Sequence, residues 1–119
     1  MTTLEDFFKG HDDSRQLFEA VSATIEAIGP AEMRVTKSQV AWKRRVNFAF
    51  VWMPGMYLKR NTVPLVLTVD LRRRDASPRW KQVVEPYPGR FVHHMELRLV
   101  EQIDDEVKGW LREAWEKAG

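Results

Sequence analysis

Two adjacent histidines are the residues of this chain whose types could most readily do chemistry. They lie in Arg90–Leu99, where apolar and polar residues alternate as in a β-strand with one face buried. His93 falls on the apolar face, which predicts a hydrogen-bonded histidine in the core. His94 falls on the polar face, where an imidazole is available to a ligand.

Basic side chains on predicted strands and turns suggest the ligand class. The charged and hydrogen-bonding set that could line a concavity with aromatic walls is Arg34, Lys37, Arg90, His94 and Arg98. Such a surface attracts carboxylates, phosphates or a nucleic-acid backbone. Alternatively, these cations pair with acidic neighbours such as Glu32 and Glu96. The sequence leaves both interpretations open, with an anionic ligand as the leading functional hypothesis.

Clusters of loop arginines support a second hypothesis, nucleic-acid binding. The clusters comprise Arg44 and Arg45 beside Lys43, Lys59 with Arg60, and Arg72, Arg73 and Arg74. Clusters at sheet ends can grip phosphates, with Trp42, Tyr57 or Trp80 stacking on bases. Loop charges also simply keep proteins soluble, and no nucleic-acid-binding motif accompanies these.

Support for catalysis is weak. His94 and Glu96 share a strand face, but two ligands do not make a metal site. Lys37 and Ser38 are adjacent, unlike the spaced Ser-x-x-Lys of an activated serine, and there is no glycine-rich phosphate loop. The absence of cysteine excludes disulfides and thiolate chemistry. We therefore expect no metal, no cofactor and a non-catalytic role, with enzymatic activity left uncertain.

Charge is segregated along the chain. Net charge is −5 over residues 1–33, +10 over residues 34–98 and −3 over residues 99–119. Acidic ends could dock on the basic centre of a second copy, which makes a homodimer a third hypothesis. The N-terminus has acids where a signal peptide needs basic residues, and no run of about 18 apolar residues occurs, so we expect a cytoplasmic protein without membrane contact.

Periodicity predicts the elements that would position these residues. Thr3 should cap a short first helix, and Asp104 or Asp105 should cap the last. A second helix should start around Asp12 to Ser14 and end at Gly29, since glycine permits a left-handed cap. Predicted strands are Met33–Thr36, Gln39–Arg44, Asn47–Met53, Leu65–Leu71 and Arg90–Leu99. Proline and arginine in 72–89 predict a long loop, a candidate lid over the open sheet face.

Together these elements predict one α+β domain over residues 1–119. Residues 1–30 should form two N-terminal helices, residues 33–99 a mainly antiparallel sheet of about five strands, and residues 104–118 a C-terminal helix. Short connections favour antiparallel pairing, and helices at both ends can pack on one sheet face. The expected architecture is therefore a two-layer sandwich.

Two long blocks resemble a known family. VTKSQVAWKRRVNFAFVWMP (Val35–Pro54) and RWKQVVEPYPGRFVHHMEL (Arg79–Leu97) resemble small bacterial proteins classed as domain of unknown function 5655. The resemblance extends to the opening LEDFF and closing DDEVKGWLREAW helices. It implies a compact α/β domain without an agreed activity. It also draws attention to Lys37, Ser38 and Gln39 in the first block and to Arg90, His93 and His94 in the second, and it adds Gln39 to the candidate ligand-binding residues.

Overall fold

A computed structural model describes residues 2–56 and 62–119 of the protein. Its helices are α1 (Leu4–Phe8), α2 (Asp12–Ile28) and α3 (Asp105–Lys117), with 3-10 turns at Pro54–Met56 and Val100–Gln102. Its strands are β1 (Glu32–Val35), β2 (Val40–Lys43), β3 (Asn47–Trp52), β4 (Leu65–Asp70), β5 (Gln82–Tyr87) and β6 (Arg90–Leu97).

The strands form one antiparallel sheet in the order β1-β2-β3-β4-β6-β5. Four consecutive strands pair as neighbours, as expected for short connections. The two-layer α+β prediction is confirmed, with helices from both ends of the chain on the sheet. Over the residues that the structure describes, the sheet has six strands, against about five predicted.

The additional strand, β5, corrects the expectation of a loop over residues 72–89. It pairs with β6, and a turn at Pro88 and Gly89 connects the two strands. Gly89 adopts the positive φ of 82° that position i+2 of a type II turn requires. The β5–β6 register shifts between Val84 and Tyr87, where Pro86 cannot donate a backbone hydrogen bond. A proline within a strand is typical of edge strands and of bulges. The prolines of this segment therefore favoured the prediction of a loop.

The three helices pack on one face of the sheet and enclose the core. Alternate residues of the central strands supply its floor, including Val51, Leu67 and Met95, which are at most 2% exposed. From the second layer, Phe18 of α2 stacks on Trp42 of β2 with ring centroids 5.8 Å apart. The opposite face, here called the open face, carries no helix formed by residues 2–56 or 62–119.

Residues 71–81 pack on the helix face, so the predicted lid over the open face is wrong. The Trp80 ring lies 4.9 Å from His93 and 4.4 Å from Trp110 of α3, measured between centroids. Arg73 makes two hydrogen bonds to Glu113 of α3, at 2.7 and 2.9 Å. This segment therefore closes the core beside α3 and leaves the open face uncovered by it.

Local signals set the helix ends as predicted, with one difference. Thr3 and Asp6 form a capping box, and the Asp104 carboxylate accepts from the Val107 backbone N–H at 3.1 Å. Gly29 ends α2 without the left-handed cap expected of it, since its φ is 167°. Glycine is needed there because a Cβ atom would collide with the Trp115 ring.

The end of α3 is held by the turn between β2 and β3. The Arg44 guanidinium donates to the Trp115 carbonyl at 2.8 Å and lies 3.6 Å from the centroid of that ring. The backbone N–H groups of Arg45 and Val46 donate to the Ala118 carbonyl. Carbonyls that have no partner within the helix are thus satisfied, and a cation sits at its negative end.

Candidate ligand site on the open sheet face

One row of side chains crosses all six strands on the open face. Its members, in register from β1 to β5, are Arg34, Ala41, Phe50, Thr68, His94 and Gln82. Facing residues on neighbouring antiparallel strands share a side of the sheet, so the row is a consequence of backbone pairing. It combines aromatic, hydroxyl, imidazole and guanidinium groups along one line.

A hollow of about 320 Å³ lies in the middle of this face. It is lined by Gln39, Phe50, Trp52, Thr68, Val92 and His94. Phe50, Trp52 and His94 are half-buried. The size is at the lower end of the range for small-molecule sites, and the lining joins apolar walls to few polar groups, as such sites do.

A hydrogen-bonded chain orients the imidazole in this hollow. The Trp52 indole N–H donates to Thr68 Oγ1 at 3.2 Å, and Thr68 Oγ1 lies 2.8 Å from His94 Nδ1. We assign the Thr68 hydroxyl as the donor to Nδ1, because no other acceptor for its proton occurs among the described residues. His94 then carries its proton on Nε2, as a donor unpaired within the described part of the chain.

Burial keeps both histidines neutral. Desolvation lowers the pKa of His94 below its usual 6.5, and repulsion from a protonated His93 lowers it further. His94 is therefore a neutral hydrogen-bond donor at neutral pH. His93 is fully buried, donates from Nδ1 to the Phe91 carbonyl and accepts from the Asp75 N–H at Nε2. It is the core histidine that the strand pattern predicts.

Acid should destabilise the fold at pH values below about 6.5 because of these histidines. Burial also lowers the pKa of His93 below 6.5. Just below pH 6.5 the two histidines are therefore protonated in the unfolded chain but still neutral in the folded protein, which favours unfolding. The stabilisation is complete above pH 6.5 and is lost as pH falls toward the folded-state values. Urea unfolding from pH 7.5 to 5 measures it. A hydrogen bond from Arg73 lowers the pKa of Glu113 below its usual 4.5, so protonation of Glu113 changes the stability only below that pH.

The variant His93→Gln provides the comparison for this prediction. It should be less stable than the wild type at pH 7.5 but should lose less stability on acidification, because one titrating group is gone. An equally steep loss in the variant would show that His93 does not contribute.

The basic residues selected from the sequence do not converge on one point. Arg34 and His94 share the row but lie four strand spacings apart, about 19 Å. Lys37 is exposed in the β1–β2 turn, and Arg98 follows the end of β6 and lines a different hollow together with Asp13 of α2. Of the six candidates, Gln39 and His94 are the two that line the hollow of the open face.

Arg90 has an internal role. Its guanidinium pairs with the Asp70 carboxylate, which is 3% exposed, and donates to the Tyr87 hydroxyl at 2.7 Å. It also donates to the Asn47 carbonyl at 3.5 Å. This ion pair joins β4 to β6, so the Arg90 charge that the sequence assigned to a ligand is paired within the protein.

The loop arginines divide into engaged and exposed groups. Arg44 caps α3, and Arg73 pairs with Glu113 and Asp75. Arg45, Arg72 and Arg74 are exposed, with Arg74 lying 5.5 Å from the Phe91 ring centroid.

Two of the three aromatic residues proposed to stack on bases, Trp42 and Trp80, are not accessible. Trp42 and Trp80 are 2% and 7% exposed because both pack in the core, so this part of the prediction is wrong. Tyr57, Lys59 and Arg60 lie outside the described residues. Fewer arginines and aromatic rings are therefore accessible for nucleic-acid binding than the sequence suggested.

Thr68 is the polar member of the site that sequence reasoning missed, beside the apolar members Phe50, Trp52 and Val92. It lies within LVLTVD, a strand buried at every position, and only its polar type distinguishes it from its apolar neighbours. A polar residue in a buried strand must find a partner. That signal was present in the sequence, but the identity of the partner depends on the β4–β6 register.

The described residues show neither a metal cluster nor a membrane-spanning helix. In 2–56 and 62–119, no three His, Asp or Glu side chains gather as metal ligands would. Over the same ranges, no helix has the length and apolar composition to cross a bilayer.

The fold and this face define a two-layer α+β protein with an open sheet face bearing a mixed aromatic and polar hollow. The model of the family described as Domain of unknown function (DUF5655) matches residues 4–118, and the chain belongs to this family. No curated protein and no solved structure gives a significant match.

Proposed function

We propose that the protein is a binding module for a small ligand that joins a flat ring to an anionic group, held on the open sheet face. The observation that carries the proposal is the Trp52–Thr68–His94 chain at the bottom of the hollow. It fixes one imidazole donor within apolar walls, without an acceptor of its own in the described residues. A ligand oxygen would supply that acceptor.

The apolar part of the ligand is inferred from the walls. Phe50 and Trp52 are neighbours on one face of β3, and Val92 completes the lining from β6. Aromatic side chains hold flat rings by stacked or edge contacts that add to area burial. A ring in this hollow would contact them while its substituent reaches His94.

The anionic part is inferred from the charges near the β1 side. Arg34 lies in the same row as Phe50, two strands away, with only the small Ala41 between them. Lys37 is in the turn that precedes Gln39. Both are exposed, so their charges are available to a carboxylate or phosphate extending from the hollow toward β1.

Nucleic-acid binding has less support, because Arg44 and Arg73 make structural contacts. It also makes a different prediction. Oligonucleotide binding would weaken with salt and would decline in proportion as Arg45, Arg72 and Arg74 are replaced by alanine. Measuring the binding of a labelled oligothymidine from low to physiological salt separates this possibility from a small-ligand site.

The test of the small-ligand proposal is an NMR titration with matched probes. AMP and benzoate combine a ring with an anion, and adenosine and benzamide are their uncharged counterparts. We expect AMP or benzoate to shift the Trp52 indole N–H signal and the amides of Phe50 and Thr68, with weaker binding of the uncharged partner. The variant His94→Phe keeps a ring but removes the donor, so affinity should fall about three- to tenfold.

Arg98→Ala is the matched control. It removes an exposed arginine that lies away from the hollow, so binding should be unchanged, whereas Arg34→Ala should weaken the anionic probe alone. Equal losses in the two arginine variants would indicate general charge attraction. The absence of any shift at about 10 mM of all four probes, a concentration that detects even millimolar dissociation constants, would contradict the proposal.

A further inference from the structure

The outer edge of β1 carries groups for pairing with another strand. Among the described strands, β1 ends the sheet on one side, with β2 as its neighbour on the other. Its side chains include exposed Glu32 and Arg34 and the apolar Met33, which is 39% exposed. Edge strands of this kind template further strand addition unless charge or shape prevents it.

The β1–β2 hairpin determines which backbone groups face outward. The Thr36 N–H donates to the Gln39 carbonyl at 2.9 Å, so Thr36 directs its backbone groups toward β2. Because these directions alternate along an antiparallel strand, Arg34 and Glu32 also face β2. Met33 and Val35 therefore point their N–H and C=O groups away from the sheet.

The side chains of β1 are complementary to themselves around Met33. In an antiparallel pair of two β1 strands centred there, Met33 faces Met33 of the second copy, and Glu32 of each copy faces Arg34 of the other. Facing residues lie on the same side of a continued sheet, so both ion pairs form on the open face. Within its own chain Arg34 faces Ala41, which leaves room for the added carboxylate.

We propose that two copies of this chain associate edge to edge through β1, forming a continuous twelve-stranded sheet with a two-fold axis at Met33. Met33 of the two copies would exchange a pair of backbone hydrogen bonds, and Val35 of each would bond to Ala31 of the other. This contact differs from docking of the acidic ends on the basic centre. It does not require the proposed ligand site, although both use the charge of Arg34.

Charge reversal tests the register by sedimentation velocity on the full chain. Glu32→Arg places two arginines opposite each other at both ends of the pairing, and Arg34→Glu places two glutamates there. Each variant alone should dimerise at least tenfold more weakly than the wild type, while an equimolar mixture should form a heterodimer. The double variant Glu32→Arg/Arg34→Glu should recover dimerisation. Glu85→Arg, on the opposite edge strand, should have no effect.

A single introduced cysteine tests the geometry independently. The chain has no cysteine, and a hydrogen-bonded antiparallel pair places Cα atoms about 5.5 Å apart, within disulfide range. Met33→Cys should therefore form a disulfide-linked dimer under mild oxidation that Val84→Cys on β5 does not. A wild-type chain that remains monomeric at about 1 mM would overturn the proposal. So would a dimer that neither charge reversal affects, since its contact lies elsewhere.

Discussion

Replacing Trp80 with alanine is expected to lower the free energy of unfolding by about 4 kcal/mol, as for other large aromatic side chains removed from cores. Trp80 is 7% exposed and contacts the rings of His93 and Trp110. Its indole N–H also donates to Asp75 Oδ2 at 2.9 Å. The substitution removes a large apolar contact between residues 71–81 and the core. Urea unfolding followed by circular dichroism measures the loss.

Two further variants show whether packing is the cause. Trp80→Phe retains a ring but not the hydrogen bond, and it should cost about 1–2 kcal/mol. Leu99→Ala removes an apolar side chain that is 61% exposed, so its effect should stay within about 0.5 kcal/mol. A Trp80→Ala loss no larger than that of Leu99→Ala would mean that this segment does not close the core.

Replacing Arg90 with methionine is expected to cost about 3 kcal/mol at neutral pH. Asp70 is 3% exposed and pairs with this guanidinium, so the variant leaves a buried carboxylate without its counterion. Breaking a buried ion pair on one side typically costs this much. Chemical denaturation of the variant against the wild type measures the change.

The double variant Arg90→Met/Asp70→Leu separates the charge from the packing. Removing both partners also removes the unpaired charge, so the double variant should be more stable than Arg90→Met alone. Additive losses would show that the two side chains act independently, and the ion pair would then have no special role. The experiment also distinguishes this structural role of Arg90 from the ligand-binding role that its position in the sequence suggested.

Much of the fold could be predicted because each signal was local. The capping residues Thr3 and Asp104 and the apolar spacing of α2 and α3 act within a few residues. The strand β5 could not be found in this way. Its residues are mostly exposed, and its only described strand partner is β6, so neither burial nor alternation marked it.

The site was predictable only in part. The face of the sheet on which a side chain lies follows from the alternation within its own strand, but its neighbours on other strands depend on the strand order and register. Alternation alone placed His94 on the polar face and His93 in the core. The strand order then separated Arg34 from His94, and the β4–β6 register placed Thr68 beside the imidazole. Arg90 pairs with Asp70 and Arg73 pairs with Glu113, and both acidic partners are distant in sequence from their arginines.

The strand order also has a consequence for how the chain folds. Strands β1 to β4 pair in sequence, and β5 with β6 form a hairpin, so most of the sheet needs only short loop closures. The exception is β4 with β6, where Asp70 faces Val92 and Leu65 faces Leu97. Closing that longer segment carries the largest entropic cost within the sheet, and non-local pairing of this kind slows folding. We therefore expect the β4–β6 contact to set the folding rate, so that substitutions at this junction slow folding and those at β1 mainly speed unfolding.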